Sequence, residues 1–295
     1  MADFYLSCCS TVDLTPAWME KRDLKYECFT FTLDGYEYPD DMGVTMSPQE
    51  LFKRMAAGAQ TKTSQVTVER YIAHFESMLK EGKDVLHLTL SSGLSGSYNS
   101  ACVAAQELQE KYPERKLYVV DSLAAASGYG MFMDTLADMR DAGKTIDELH
   151  EWALENRLNL HHWFFSTDLT FFVRGGRISK AAGMAGTVLK ICPLLNVDFE
   201  GHLISREKIR GKKLVVKAMF EKMKEHAQNG QDYNDKCFMC HSLCEEDAKS
   251  VAALVEEYFP ALKGKVEIFS IGTTIGSHTG PGTVALFFWG DKRID

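Results

Sequence analysis

The run Asp84–Leu90 (DVLHLTL) reads as a strand and passes straight into the turn Ser91-Ser92-Gly93-Leu94-Ser95-Gly96-Ser97-Tyr98. A helix-like run, Asn99 to Tyr112, follows at once. Strand, turn and helix in that order constrain the fold strongly, because the helix must cross one face of a sheet and return the chain for a parallel neighbour. Ligands in such sheets sit at the carboxyl ends of the strands, where this turn falls. The turn is built of hydroxyls and glycines. Backbone N–H groups at the start of a helix lack intrahelical partners and carry the positive end of its dipole, an arrangement suited to an anion. Two further segments of the same character, Thr63-Ser64-Gln65 and Ile275-Gly276-Ser277-His278-Thr279-Gly280-Pro281-Gly282, lie far away in the chain. Brought together, the three segments would make one small, neutral receptor for a negatively charged head group.

The strand–helix alternation extends on both sides of the turn. Phe4 to Cys8 reads as a first strand ending in Cys8-Cys9-Ser10-Thr11, and Thr15-Pro16 as a helix start. Leu24 to Leu33 is strand-like, and Ser47-Pro48-Gln49-Glu50 is a capping box for a helix to about Met55. Tyr71, Phe75, Met78 and Leu79 form one helical stripe after the TSQ loop. A strand at Lys116–Val120 ends in Asp121-Ser122, Ser127-Gly128-Tyr129-Gly130 opens the next helix, and Thr145-Ile146-Asp147-Glu148 caps another that runs to about Leu158. These elements predict an α/β/α domain with a parallel sheet over residues 1–160.

From about His161 the texture changes. Trp163–Ser166 is a short strand, and Ile191–Phe199 pairs with His202–Glu207 as a hairpin across Glu200-Gly201. Helices at Lys212–Ala227 and Glu245–Phe259 alternate with strands at Lys236–His241 and Val266–Ile271, and Thr283–Trp289 is a last strand. The expectation is an α+β domain over 161–295, joined near residues 158–162 without a long linker. A chain of 295 residues is comfortable for two such domains.

The composition excludes several classes. A formal net charge of −8 with no block of Lys or Arg argues against nucleic acid or an anionic membrane as the main partner. No apolar run approaches the roughly 18 residues of a spanning helix, so no transmembrane segment is expected. The start MADFYLSCCS has neither a basic flank nor an export-length apolar core, and the eight cysteines read as reduced thiols, so the expected location is cytoplasmic. Gly143-Lys144-Thr145 imitates the end of a P-loop, but the earlier glycine position holds Asp138 and no strand precedes it. It reads as a helix-to-helix turn, which leaves the chain without a nucleotide motif. Cys237-Phe238-Met239-Cys240-His241, with Cys244 nearby, copies a haem-attachment or metal pattern but reads as a strand end before a capped helix. Neither a metal nor a cofactor is expected.

Taken in order, these segments resemble the DegV family across nearly the whole chain. Thr63-Ser64-Gln65 is similar to its TSQ loop and Ser91 to Tyr98 to its SSxLSGTY turn, with Ser97 for the usual threonine. Gly175-Gly176-Arg177-Ile178-Ser179, Pro193-Leu194-Leu195 and Ile271-Gly272 through Gly282 fit the second domain. The chain departs from the pattern at Cys9, where an aspartate is usual, at Val66, where proline follows TSQ, and at Cys192, where lysine often precedes the proline.

The resemblance implies a long-chain fatty acid lying between the two domains as bound ligand. Its carboxylate would be held by Thr63, Ser95, the Gly96 backbone N–H and His278, with Ser64, Ser92 and Ser97 nearby. It also implies an ATP-binding kinase subunit as partner, which phosphorylates the bound carboxylate, and Arg177 matches a position linked to that contact. Burying some fourteen methylenes at about 0.8 kcal/mol each yields roughly 11 kcal/mol gross, against perhaps 1.5–3 kcal/mol for each hydrogen bond to a charged carboxylate. Affinity then resides in the tail, and the polar residues decide which end is presented. Two other readings stand beside this one. Gly93-Leu94-Ser95-Gly96-Ser97 nearly matches the G-x-S-x-G elbow of a serine hydrolase, with Ser95 as nucleophile and Asp121 and His278 as triad partners. A carrier or sensor of another acidic small molecule would use the same anion site.

Overall fold

Phe4–Cys9 (β1) is the second strand of a four-stranded parallel sheet in the order β2-β1-β6-β7, with Leu24–Glu27 (β2), Asp84–Thr89 (β6) and Leu117–Asp121 (β7). The structure, a computed structural model, describes residues 3–179 and 191–295. Helices cover this sheet as the alternation requires. Val68–Lys80 buries the stripe Tyr71, Phe75, Met78 and Leu79, and Ala126–Asp141 is buried along most of its length. Thr145 caps Ile146–Asn156 in a complete capping box with Glu148, so the Gly143–Thr145 segment is the helix-to-helix turn expected of it.

A second, six-stranded sheet runs in the order β10-β9-β8-β13-β11-β12. Leu160–Ser166 (β8) and Thr283–Trp289 (β13) pair antiparallel at its centre. Ile191–Val197 (β9) and Leu203–Arg210 (β10) form the expected hairpin. Cys237–His241 (β11) and Glu267–Ser270 (β12) are a parallel pair at the other edge. Helices Lys212–His226 and Glu245–Tyr258 pack against each other and against this sheet.

Three expectations are corrected. The run Leu24–Leu33 is two strands, because at Cys28–Phe29 the chain leaves the parallel sheet and the Phe29 N–H donates to Ser10 Oγ at 3.1 Å. Its second half, Thr30–Leu33 (β3), lies in a small antiparallel sheet between Tyr36–Pro39 (β4) and Thr61–Ser64 (β5). The TSQ segment is therefore the end of a strand and not a free loop. The glycine-rich stretch around His278 is a helix, Thr273–Thr279. Its Gly276 serves close packing, since a Cβ there would lie 2.7 Å from the Phe52 ring.

Candidate functional site

Alternation along two paired strands builds the walls of one cavity. On β8, His162 and Phe164 face it; on β13, Thr283, Ala285 and Phe287 do, in the register Phe287↔His162 and Ala285↔Phe164. Leu90, Phe172 and Ile271 continue the apolar lining. The volume is about 210 Å³. At one end the lining turns polar, with Thr63, Gln65, Ser95, Gly96, Arg177 and His278. The three segments remote in sequence converge on this one space.

The contact that ties them is between Thr63 Oγ1 and His278 Nε2, at 2.7 Å. Antiparallel pairing of β5 with β3 sets the direction of Thr63, and Thr61 Oγ1 donates to the Ser277 carbonyl at 3.1 Å, so β5 is laced to the helix that carries the imidazole. The start of that helix is held by a buried carboxylate: Asp40 accepts from Thr273 Oγ1 at 2.7 Å and from Ser10 Oγ at 3.1 Å. Ser10 is thus fixed through Asp40, and Cys9, in the usual aspartate position, has its N–H donated to Tyr129 Oη and its thiol 3.0 Å from Tyr71 Oη.

His278 is neutral near pH 7. Burial first, and then the Arg177 charge, push its pKa down to about 4. Its Nδ1 is buried and makes no hydrogen bond among the described residues. Gly175 closes over that nitrogen; a Cβ there would stand 2.2 Å from it, so no other residue fits beside the ring as placed.

Arg177, expected as a partner contact, is half-buried and part of the cavity wall. Its Nε and Nη2 donate to the Leu94 carbonyl at 3.2 and 3.0 Å, and Nη1 donates to Gly175 O at 2.6 Å. It fastens the glycine turn at 175–176 to the Ser91–Ser97 turn, and no carboxylate among the described residues pairs with it.

Within the Ser91–Ser97 turn most amides are already used. Ser92 N donates to Asp121 Oδ1, Gly93 N to Ser91 Oγ, Leu94 and Ser95 N to Ser91 O, and Ser97 N to Ser95 Oγ. The Gly96 amide makes no such bond among the described residues. Ser95 Oγ, which lines the cavity, also donates to Ser97 Oγ at 3.2 Å. Ser64, Ser92 and Ser97 are not in the lining: Ser64 and Ser92 are exposed, and Ser97 is buried behind Ser95, accepting from Val66 N.

The hydrogen bonds do not assemble a hydrolase triad. Asp121 is occupied by the Ser92 and Leu123 amides, and His278 faces Thr63. The three cysteines of the haem-like motif do not converge either. Cys240 lines the cavity from β11, and Cys244 donates to the Thr283 carbonyl. Sequence reasoning missed Gln65 and Gly175 as members of the site. Gln65 lay within the TSQ segment, but nothing local announced its side chain reaching Ser100 Oγ at 3.1 Å beside Gly96.

A family model described as "Uncharacterised protein, DegV family" matches residues 9–291. The chain belongs to the DegV family. A DegV domain-containing protein of Clostridium perfringens is 36% identical over 293 residues, 99% of each chain. A Thermotoga maritima protein named fatty acid-binding protein is 33% identical over 285 residues, 93% of each. Among solved structures, that of a DegV protein from Thermus thermophilus described as binding fatty acid superposes with a TM-score of 0.85 at 26% identity, over 98% of this chain and 99% of that one. The DegV fold accounts for the parallel sheet, the separate mixed sheet and the order of the motifs. No helix among the described residues is long and apolar enough to cross a membrane.

Proposed function

We propose that this DegV protein binds a long-chain fatty acid, needs no other cofactor, and presents the carboxylate to a separate ATP-binding kinase subunit for acyl-phosphate formation. One observation carries the reading: the Thr63–His278 pair stands at the polar end of a cavity whose walls are mostly apolar. With the neutral imidazole donating from Nε2 to Thr63 Oγ1, the Thr63 hydroxyl keeps its own hydrogen for a ligand oxygen. The Gly96 N–H offers a further donor beside it, and Ser95 Oγ becomes one when its hydrogen turns from Ser97 Oγ to the ligand. Such a cluster orients a carboxylate without the bidentate grip of an arginine fork, which would compete with the attack of its oxygen on a phosphoryl group. The relative in Thermotoga maritima named for fatty acid binding supports the ligand class.

The absence of a nucleotide motif and the family resemblance support the role of a non-catalytic, presenting subunit. We also read the chain as two domains divided at 160/161, and the free cysteines as suited to a reducing, cytoplasmic compartment.

Native mass spectrometry of gently purified protein tests the ligand: a co-purified fatty acid is expected, and apo protein alone would refute it. The Thr63→Ala/Ser95→Ala double variant tests the roles. It should form acyl phosphate poorly in the presence of a cognate kinase while still retaining the acyl chain. Unchanged acyl-phosphate formation would remove both residues from the mechanism.

A further inference from the structure

Strand β8 carries two adjacent histidines, and the strand period sends them to opposite faces of the sheet. His162 faces the cavity, where its Nε2 accepts from Ala125 N and its Nδ1 lies 3.3 Å from the Leu160 carbonyl. His161 faces away, toward the end of helix Lys212–His226. There its ring stacks on His226, with centroids 4.9 Å apart and planes at 21°, and on Phe288. Trp163 stacks on the same His226. Both imidazoles address one carboxylate. His161 Nε2 is 2.9 Å from Asp291 Oδ1, and His226 Nδ1 is 3.1 Å from that same oxygen.

We propose that His161, His226 and Asp291 form a binding site for a divalent transition-metal ion of the zinc class. Zinc bonds to imidazole nitrogen and carboxylate oxygen are about 2.0–2.2 Å, which sets ligand atoms around a tetrahedral ion roughly 3.3 Å apart. The two nitrogen–oxygen spacings need only a few tenths of an ångström of expansion, all three donor atoms lie within 4.8 Å of one another, and the stacked rings turn so that both nitrogen lone pairs meet at the ion. The set is two neutral nitrogen donors and one anionic oxygen, with the fourth position open toward solvent because Asp291 is exposed.

The donors sit on a rigid frame. Asp291 N donates to the His226 carbonyl at 3.0 Å, and Gly290 N to the Asn159 carbonyl at 2.7 Å. A Cβ at Gly290 would stand 2.4 Å from His226 O and 2.7 Å from His161 Cδ2, so the chain runs this close to the His161 ring and the His226 carbonyl only as glycine. Ligation requires each imidazole to carry its one proton on the far nitrogen, Nδ1 of His161 and Nε2 of His226. His161 then gives up its hydrogen bond to the Asp291 main-chain carbonyl. The site lies on the opposite face of β8 from the lipid cavity and stands independently of the lipid reading.

Titration of metal-stripped, full-length protein with Co²⁺ tests the proposal, because its visible spectrum separates nitrogen and oxygen ligation from thiolate ligation by the free cysteines. The expected result is one equivalent bound with ligand-field bands and no thiolate charge transfer. His226→Gln and Asp291→Asn should each weaken binding by about tenfold or more, the exposed Asp291→Asn at unchanged melting temperature of the metal-free protein, while Cys244→Ser leaves binding unaltered. Equal binding by the wild type and His226→Gln, thiolate bands, or no binding at all would overturn the site.

Discussion

Thr63 and His278 are 215 positions apart and meet at 2.7 Å, a strand end from one part of the chain against the last turn of a helix from the other. The pair joins the two halves of the molecule at the point where the cavity is polar. The imidazole from one half thereby fixes the direction of the Thr63 hydroxyl from the other.

Thr63→Val keeps the shape of the side chain and removes the hydroxyl. Loss of a hydrogen bond to a charged carboxylate should cost about 1.5–3 kcal/mol, one to two orders of magnitude in fatty-acid affinity by displacement of a fluorescent analogue. The methyl ester of the same acid should bind both proteins alike. Equal losses for acid and ester would show that the hydroxyl does not read charge.

Gly175→Ala puts a methyl group where His278 Nδ1 now sits, 2.2 Å from the built Cβ. Gly175 has right-handed helical angles, φ −74 and ψ −8, which alanine adopts without strain, so the effect should come from displacing the imidazole. The expected outcome is a protein that still folds and still binds an acyl chain, but with its preference for the acid over the corresponding alcohol sharply reduced. A preference equal to that of the wild type would place His278 outside carboxylate recognition.

Arg177→Gln should raise the pKa of His278 above its value of about 4, since it removes the cation that opposes protonation of the ring. Burial is the larger cause and persists, so the value should stay below that of a free imidazole near 6.5. A side-chain NMR titration reads this directly. A pKa that falls or does not move would contradict the placement of the guanidinium.

Stability should fall as pH is lowered from about 6.5 toward 4. His74, His161 and His278 are held down to about 4 and His87 and His162 well below the ordinary value, all mainly by burial. In that window the unfolded chain takes up protons that the folded one refuses, so the stability present above pH 6.5 is lost on acidification. Asp13 and Asp40 act in the opposite sense, because burial raises their folded pKa values and acidification then favours the folded state. With His150 and His241, which burial also lowers, seven histidines oppose two carboxyls, and the melting temperature should drop over this range. A flat profile from pH 7 to 4 would show that these rings are hydrated in solution.

Ala285→Phe fills the middle of the apolar wall on β13. The lipid that co-purifies with the variant should be shorter than that of the wild type by mass spectrometry. An unchanged chain-length distribution would mean that the tail runs elsewhere.

The sequence by itself determined the alternation that makes the parallel sheet, the capped helices at Thr15, Ser47 and Thr145, and the final strand Thr283–Trp289, whose bounds it gave to the residue. These rest on local rules of period, capping and turn chemistry that operate within about a dozen residues. The family resemblance implied Thr63, Ser95, Gly96 and His278 as one set, and all four line the same cavity. Tertiary structure alone decided that TSQ is a strand end, that the glycine-rich segment is a helix, and that Arg177 reaches back 83 positions to the Leu94 carbonyl. Glycine reads locally as a breaker, yet Gly276 and Gly175 are small because Phe52 and His278 press against them. Those neighbours come from distant parts of the chain, and only packing brings them near.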